Sequence, residues 1–152
     1  GAGQATQQRE FDFVHFPENV AAARAAYKEA GITNPREEIG IAEVHDCFSS
    51  TELITMEDLG FSARGRAPED IVAGRFALSG EQPVNTDGGL KCFGHPLSAS
   101  GLRMAYEVYN QLRGKVDNPA RQVKNLRLGL IHNVGGNAGT HIGSVMIFGL
   151  PE

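Results

Sequence analysis

The 152-residue sequence contains no apolar run that approaches the ~20 residues a membrane-spanning helix needs. Its basic residues are scattered and its net charge is −4, so we expect no binding to nucleic acid. The polar N-terminus lacks the hydrophobic segment of a signal peptide. We therefore expect a reducing compartment, either the cytoplasm or, in a eukaryote, the peroxisomal matrix. In such a compartment the only two cysteines, Cys47 and Cys92, remain free thiols.

Fingerprints of metal and cofactor binding are also missing. The cysteines and histidines show neither C-x-x-C nor H-x₃-H spacing, which argues against a zinc site. The glycine pair at 88–89 does not belong to a G-x-x-x-x-G-K-[ST] phosphate-binding loop, and no dinucleotide-binding fingerprint is present. The sequence thus predicts no metal site and no permanently bound cofactor.

Helical and strand patterns alternate along the chain, which predicts a layered α/β fold. Pro17 and Gly31 bound the first helix, Ser49 and Glu52 fit a capping box, and Pro96 is expected to start the longest helix. The pattern predicts helices at 17–30, 49–59, 68–73 and 96–113, strands at 38–44, 126–131 and 142–148, and a loop at 78–94. Because a short Gly-rich turn joins the last two strands, they should pair antiparallel in a mixed sheet.

A thiol lies at the end of one predicted strand. Cys47 follows the strand at 38–44 and precedes a helix start by two residues. Unpaired amides and the helix dipole at such a position favour a thiolate. The neighbouring His45 offers a second group that exchanges protons near neutral pH. The alternative interpretation is a buried, inert cysteine at a strand end.

A histidine lies at the predicted mouth of the longest helix. His95 stands between Gly94, which lets the backbone approach a ligand closely, and Pro96, which sets the helix entry. Loops and helix starts of this kind carry ligands in open α/β sheets. The alternative interpretation is a histidine that only caps the helix.

The segment at 132–139 is rich in Gly and Asn and is predicted to be the turn after the strand at 126–131. The backbone amides of Gly135 and Gly136 can point at a bound oxyanion there, beside His132 and Asn133. The alternative interpretation is a plain hairpin turn, for which adjacent glycines are a strong signal.

These motifs, in this order, resemble the C-terminal half of the thiolase superfamily, with the closest similarity to the sterol-carrier-protein type thiolases and their thiolase-like relatives. EVHDCF at 43–48 resembles the His-Asp-Cys-Phe signature of that subgroup. NTDGGL at 85–90 and GHPLSASG at 94–101 resemble its Gly-His-Pro segment, and GAGQAT at 1–6 resembles the family sequence just after the first strand of that half begins. The resemblance identifies 1–152 as a thiolase C-terminal domain, a fragment of a longer thiolase-like protein.

The resemblance implies a thiolase-fold half, in which helices lie on both faces of a mixed sheet of the five-stranded type with a truncated first strand. It also implies an N-terminal half that carries the nucleophilic cysteine, which no residue here matches. The isolated chain is therefore expected to be inactive. The full-length protein is expected to form a homodimer.

The activity implied is that of an acyl-CoA C-acyltransferase, as in fatty-acid β-oxidation, with coenzyme A and acyl-CoA as substrates. Cys47 would move a proton. His95 would hydrogen-bond the thioester oxygen and help to ionise the upstream nucleophile, and His45 would orient a water molecule or donate to the same oxygen. The remaining site residues implied for the oxyanion or substrate are Gly94, His132, Asn133, Gly135 and Gly136. Most thiolases have a cysteine where Asn133 stands. This difference leaves two alternatives: a retro-aldolase that acts on steroid side-chain CoA esters with a small partner protein, and a non-catalytic scaffold.

Overall fold

A computed structural model describes residues 1–6, 14–137 and 140–151, and it confirms the layered α/β architecture. The strands are β1 (Ala2–Thr6), β2 (Ile41–Glu43), β3 (Leu128–Gly135) and β4 (Ile142–Gly149). The helices are α1 (Pro17–Ala30), α2 (Pro35–Glu38), α3 (Ser49–Asp58), α4 (Ala67–Val72), α5 (Gly89–Phe93) and α6 (Ser100–Leu112), with a 3₁₀ turn at Pro119–Arg121.

The described strands form one mixed sheet in the order β1-β4-β3-β2. Strand β4 is antiparallel to both β1 and β3, whereas β2 is parallel to β3. The predicted antiparallel pairing of the last two strands is thus confirmed. The sheet has four strands within the described residues, where five were expected, and its first strand has five residues.

Helix α1 covers one face of the sheet over β1 and β4. It begins at Pro17, and Gly31 ends it with a left-handed φ of 72°, as predicted. Ala22 and Ala26 are fully buried. Their small side chains let the helix approach so closely that a Cβ on Gly3 would lie 2.1 Å from the carbonyl oxygen of Ala22. Sequence patterning alone therefore predicts this helix, and small residues set its distance from the sheet.

Helix α3 and the turn after it complete this layer. Met56, Leu59 and Phe61 are almost fully buried and belong to the same apolar cluster as Leu130 and Val145 of the sheet. Burial of apolar surface is the dominant favourable contribution to folding. This face therefore holds the main core of the domain.

Helix α6 lies on the other face, over β3 and β2. Its side chains Met104, Val108 and Leu112 are buried there in a second, smaller cluster. The helix does not extend over the whole of β4, and Ile142 and Met146 of that strand are 44% and 46% exposed. This face is therefore only partly covered by the described residues.

The strand predicted at 38–44 starts later than expected, because Pro35–Glu38 form a helical turn. The Glu38 carboxylate accepts hydrogen bonds from the backbone N–H groups of Asn34, at 2.6 Å, and Thr33, at 2.8 Å. These bonds satisfy amides at the start of the turn and lower the pKa of Glu38. Strand β2 therefore begins at Ile41.

The helix predicted from Pro96 begins at Ser100 instead. The N–H groups of Ala99 and Ser100 both bond to the carbonyl oxygen of Pro96, at 2.8 and 3.0 Å, so 96–99 form a turn before α6. With 13 residues, α6 is also one residue shorter than α1. Helix α5 lies within the segment predicted as loop, where glycines flank its short apolar stretch.

The predicted capping box at the start of α3 is wrong. Phe48 is the N-cap residue, and Ser49 already lies inside the helix without a side-chain cap. The carboxylate of Glu52 instead accepts a hydrogen bond from the amide of Asn85, at 3.2 Å. A long-range partner thus replaces the local one. No helix of the described part of the chain is both long and apolar enough to cross a membrane.

Candidate active site

The imidazole rings of His45 and His95 meet at one edge of the sheet. Their centroids lie 4.8 Å apart and their planes are inclined by 73°, an edge-to-face contact. His45 follows β2 and is 5% exposed, whereas His95 follows α5 and is exposed to solvent. Gly94 has a left-handed φ of 74° between α5 and His95, which favours glycine at this position. The two imidazoles predicted to act together are therefore in contact.

Asn85 ties the loop that carries His95 to the end of β2. It adopts a φ of 50°, which asparagine tolerates better than most residues. Its side-chain oxygen accepts a hydrogen bond from the N–H of Val44 at 2.8 Å. Its amide group donates to Glu52 of α3. One side chain thus joins the strand end, the loop and a helix.

Asp46 makes a second connection between the same two segments. Its carboxylate accepts a hydrogen bond from the N–H of Leu90, at 2.9 Å, in the first turn of α5. Gly89 packs directly on this carboxylate, and a Cβ there would lie 2.3 Å from a carboxylate oxygen. Gly89 also has a φ of 62°. Asp46 follows His45 directly and binds α5, and α5 leads to His95. This hydrogen bond therefore holds the two histidine-bearing segments together.

A buried ionic cluster lies behind the strand end. Arg103 of α6 pairs with the carboxylates of Glu43, at 3.2 Å, and Asp87. Burial raises the pKa of Glu43 well above its ordinary value, and the nearby Asp87 carboxylate raises it further. The hydroxyl group of Thr86 donates a hydrogen bond to the carboxylate of Glu107 in α6, at 2.9 Å, and this bond holds the loop close to α6. These contacts fix the loop at 85–87 between β2 and α6.

Burial keeps the inner imidazoles neutral. It lowers the pKa of His45, and the neighbouring His95 lowers it further, against a hydrogen bond with Asn133 that raises it. His132 is fully buried on the opposite side of β3, and burial lowers its pKa to about 3, with His45 contributing. Both side chains are therefore uncharged near neutral pH. An uncharged imidazole can accept a proton from a substrate.

A cavity of about 470 Å³ opens beside the imidazole pair on the face that α6 covers. Its polar lining residues are His45, His95, Ser98, Asn133 and Ser144. Its other lining residues are Leu97, Gly101, Leu102, Ala105, Ile131, Val134, Gly135, Ile142 and Met146. A larger hollow at the other end of the sheet, about 680 Å³, is lined by neither histidine nor cysteine. The cavity beside the histidines therefore combines an apolar wall with groups that transfer protons.

Comparison with known proteins decides the family. Residues 3–149 match the family described as thiolase C-terminal domain-like. The chain belongs to this family. An acetyl-CoA acetyltransferase of Methanothermobacter thermautotrophicus is 43% identical over 129 residues, which cover 85% of this chain and 33% of that protein. Sterol carrier protein 2 of Homo sapiens is 37% identical over 139 residues, which cover 91% of this chain and 24% of that protein.

A solved structure with the same fold is the Ltp2–ChsH2(DUF35) aldolase. The superposition has a TM-score of 0.74 at 25% identity, and it covers 97% of this chain and 38% of the other. The thiolase C-terminal domain thus spans about a third or less of the length of the curated relatives named above. The thiolase resemblance drawn from the sequence motifs is confirmed.

The domain places the remaining predicted residues differently. Asn133 and Gly135 line the cavity, but His132 points away from it into the core. All three belong to β3, so the turn predicted from His132 onward is wrong at its start, because strand pairing continues to Gly135 opposite Ile142. Gly136 follows with a φ of 116°. Residues 138 and 139 of the predicted turn lie outside the described residues.

Cys47 is exposed to solvent and is not among the described residues that line the cavity. Its sulfur lies 3.7 Å from the hydroxyl of Thr51 in the first turn of α3. The alternative of a buried, inert cysteine is therefore wrong, and the catalytic role of Cys47 stays a prediction. Among the described residues, no group of three or more His, Cys, Asp or Glu side chains is arranged to hold a metal ion.

Sequence reasoning missed the residues that hold the site together. The sequence patterns assigned no role to Asp46, Asn85, Asp87 or Arg103. The long-range partners of these side chains lie 16 to 60 positions away in the chain. One local signal was available, since an asparagine or aspartate beside adjacent glycines often marks a backbone turn with side-chain bonds.

Proposed function

We propose that this domain supplies the acid/base and oxyanion-stabilising groups of an acyl-CoA C-acyltransferase that carries out thiolytic cleavage or Claisen condensation of acyl-CoA. The observation that carries the proposal is the contact between His45 and His95 at the mouth of a largely apolar cavity. Imidazole groups at such a place can take up a proton and then stabilise negative charge on a thioester oxygen. The apolar wall suits an acyl chain.

Cys47 and Gly135 complete the proposed set. Cys47 exchanges the proton at the α-carbon or at the sulfur of coenzyme A. The backbone amides of Gly135 and Gly136, together with Asn133, His132 and Gly94, were expected to serve oxyanion or substrate. Of these, Asn133 and Gly135 have direct support because they line the cavity, whereas buried His132 supports the site from behind β3.

The partly covered face of the sheet supports the presence of a second thiolase half. Leu97 and Leu102 are 85% and 73% exposed, and they line the same cavity as the exposed side chains Ile142 and Met146. Contiguous exposed apolar side chains of this kind mark interaction surfaces. We propose that the N-terminal half covers this face and brings the nucleophilic cysteine to the cavity, so the chain is inactive alone. A homodimer of the full-length protein, and a cytoplasmic or peroxisomal location, stay predictions.

Substitution of Cys47 tests the acyltransferase proposal. In the enzyme assembled with its nucleophile-bearing half, Cys47→Ala is expected to abolish turnover of a 3-ketoacyl-CoA. Transfer of the acyl group onto the nucleophilic cysteine should survive, as seen by mass spectrometry of the intact protein. Cys92→Ala is the matched control, because it removes the other exposed thiol, for which no role in the reaction is proposed. Turnover of Cys47→Ala at the wild-type rate would refute the proposed role.

A retro-aldolase is the second candidate, and the structural likeness to the Ltp2–ChsH2(DUF35) aldolase favours it. Asn133 at the position of the usual second cysteine is also consistent with it. A retro-aldolase would cleave a β-hydroxyacyl-CoA into a ketone or aldehyde plus a shorter acyl-CoA, with a small partner protein bound. This cleavage consumes no free coenzyme A, whereas thiolysis consumes one molecule per turnover. Product analysis with and without free coenzyme A separates the two activities.

A further inference from the structure

Ser100 contacts His95 directly. Its hydroxyl oxygen lies 2.9 Å from Nδ1 of His95 and 3.1 Å from the carbonyl oxygen of Pro96. Ser100 is the first residue of α6 and is only 2% exposed, so its hydroxyl group has these neighbours rather than bulk water. A buried hydroxyl group in this position controls one side of the imidazole ring.

The hydroxyl group of Ser100 has one proton but two hydrogen-bonding neighbours, Nδ1 of His95 and the carbonyl oxygen of Pro96. The carbonyl oxygen of Pro96 has only lone pairs, so the contact with Ser100 is a hydrogen bond only when Ser100 donates. The hydroxyl oxygen then has only lone pairs left for His95. The 2.9 Å contact is a hydrogen bond only when Nδ1 of His95 carries a hydrogen. The hydrogen bond at one ring nitrogen decides which nitrogen is protonated.

We propose that Ser100 is a positioning residue that holds the neutral ring of His95 as the Nδ1–H tautomer and leaves the lone pair of Nε2 available to the cavity. The backbone supports this arrangement. The turn at 96–99 ends at Ser100, so the chain itself brings the serine hydroxyl back to the ring five residues earlier. His45 packs at 4.8 Å against the same ring and limits its rotation.

The tautomer determines the order of proton transfers, and this consequence rests on the proposed function. A neutral His95 with a bare Nε2 can accept a proton from a thiol, such as the nucleophilic cysteine or coenzyme A. The S–H bond breaks, its electron pair stays on sulfur, and the proton forms the new bond to Nε2. The resulting imidazolium can then donate that proton to a developing oxyanion. His95 is therefore a proton acceptor first and a hydrogen-bond donor second.

Nuclear magnetic resonance tests the tautomer without any need for activity. The chain is labelled with ¹⁵N-histidine, and long-range ¹H–¹⁵N spectra are recorded at an alkaline pH at which the rings are neutral. Wild-type His95 is expected to show a protonated Nδ1 and an unprotonated Nε2. Ser100→Ala should shift the population toward protonated Nε2, and Ser100→Thr, which keeps the hydroxyl group, should restore Nδ1–H.

Ser98→Ala is the matched control, because Ser98 is a neighbouring serine with no hydrogen bond to His95 among the described residues. It should leave the tautomer unchanged. A protonated Nε2 in the wild-type protein overturns the proposal even if Ser100→Ala fails to fold. An unchanged tautomer in a folded Ser100→Ala variant overturns it as well.

Kinetics of the assembled enzyme add an independent measurement. Ser100→Ala should lower kcat roughly tenfold or more, which is less than the ~10²–10⁴-fold effect of an acid/base group itself. The KM should change little, and Ser100→Thr should recover most of the rate. A normal rate in a variant with the altered tautomer overturns the link to catalysis. Absence of acyltransferase activity in the wild type, with the expected tautomer, faults the proposed function and not the role of Ser100.

Discussion

The two faces of the sheet differ in how completely they are covered. On the α1 face, small and aliphatic side chains from α1, α3 and the strands are sealed in one continuous core. On the α6 face, one helix covers only part of the sheet and leaves an open cavity beside His45 and His95. The sealed face supplies stability, and the open face supplies the groups that can react. Because alternate strand residues point to opposite faces, one strand can serve both purposes.

Strand β3 shows this division most clearly. Leu130 and His132 point into the sealed core, whereas Ile131, Asn133 and Gly135 face α6 or the cavity. A single residue shift in register would exchange the two sets. The antiparallel pairing with β4 therefore matters for the site as much as for the core.

The largest effect is expected from the open face, in activity. His95→Ala in the assembled enzyme should lower kcat by ~10²–10⁴-fold, because a group that transfers protons is lost. The exposed position of His95 predicts a change of at most about 0.5 kcal/mol in the free energy of unfolding. Steady-state kinetics and urea denaturation measure the two quantities. Equal rates for variant and wild type would favour the non-catalytic scaffold.

A matched pair of leucines tests the contrast in stability. Leu130→Ala on the sealed face should cost about 2–5 kcal/mol, because it leaves a cavity in the core. Leu102→Ala on the open face, where the side chain is 73% exposed, should cost no more than about 0.5 kcal/mol in this chain. Urea denaturation of both variants gives the comparison. Similar losses for the two would mean that the α6 face is as well packed as the other.

Loss of the hydrogen bond that joins Asp46 to α5 is expected to have an intermediate effect. Asp46→Ala removes the acceptor for the N–H of Leu90 and should destabilise the domain by about 1.5 kcal/mol. Amide hydrogen exchange in α5 should also become faster. Asp46→Asn keeps a side-chain oxygen and should lose less. Unchanged exchange at Leu90 in Asp46→Ala would show that this hydrogen bond does not hold α5.

The smallest effect is a dependence of stability on pH that originates at the sealed face. The pKa of His132 is lowered from 6.5 to about 3, so the unfolded chain binds a proton there more readily than the folded chain. As the pH falls below 6.5, His132 should therefore reduce stability, by at most about 1.4 kcal/mol per pH unit. Above that pH His132 is neutral in both the folded and the unfolded chain, so it causes no further change of stability with pH.

His132→Asn should have a smaller loss of stability between pH 7 and pH 5.5 than the wild type, measured by urea denaturation at both values. The comparison uses the difference between the two proteins because other groups contribute. The raised pKa values of Glu43 and Asp58 act in the opposite direction, since their folded forms bind protons more readily. Equal losses in the two proteins would contradict the assignment to His132.

Much of the fold could be predicted from local patterns. The bounds of α1 follow from Pro17 and Gly31, and the antiparallel hairpin follows from the Gly-rich connection between two apolar stretches. Where the local prediction failed, a long-range or alternative hydrogen bond replaced the expected one. Glu52 bonds to Asn85 rather than capping α3, and Pro96 starts a turn that delays α6 until Ser100.

By itself, the sequence determined the α/β class, the thiolase family and the identity of the histidines, because helix spacing, turn residues and short motifs are local properties. Only the tertiary structure decided that His45 and His95 touch, that Ser100 contacts the His95 ring and that Cys47 stays outside the cavity. These contacts depend on the order of strands and on hydrogen bonds such as that from Leu90 to Asp46, between residues 44 positions apart. No local pattern encodes the position of a partner that lies so far along the chain.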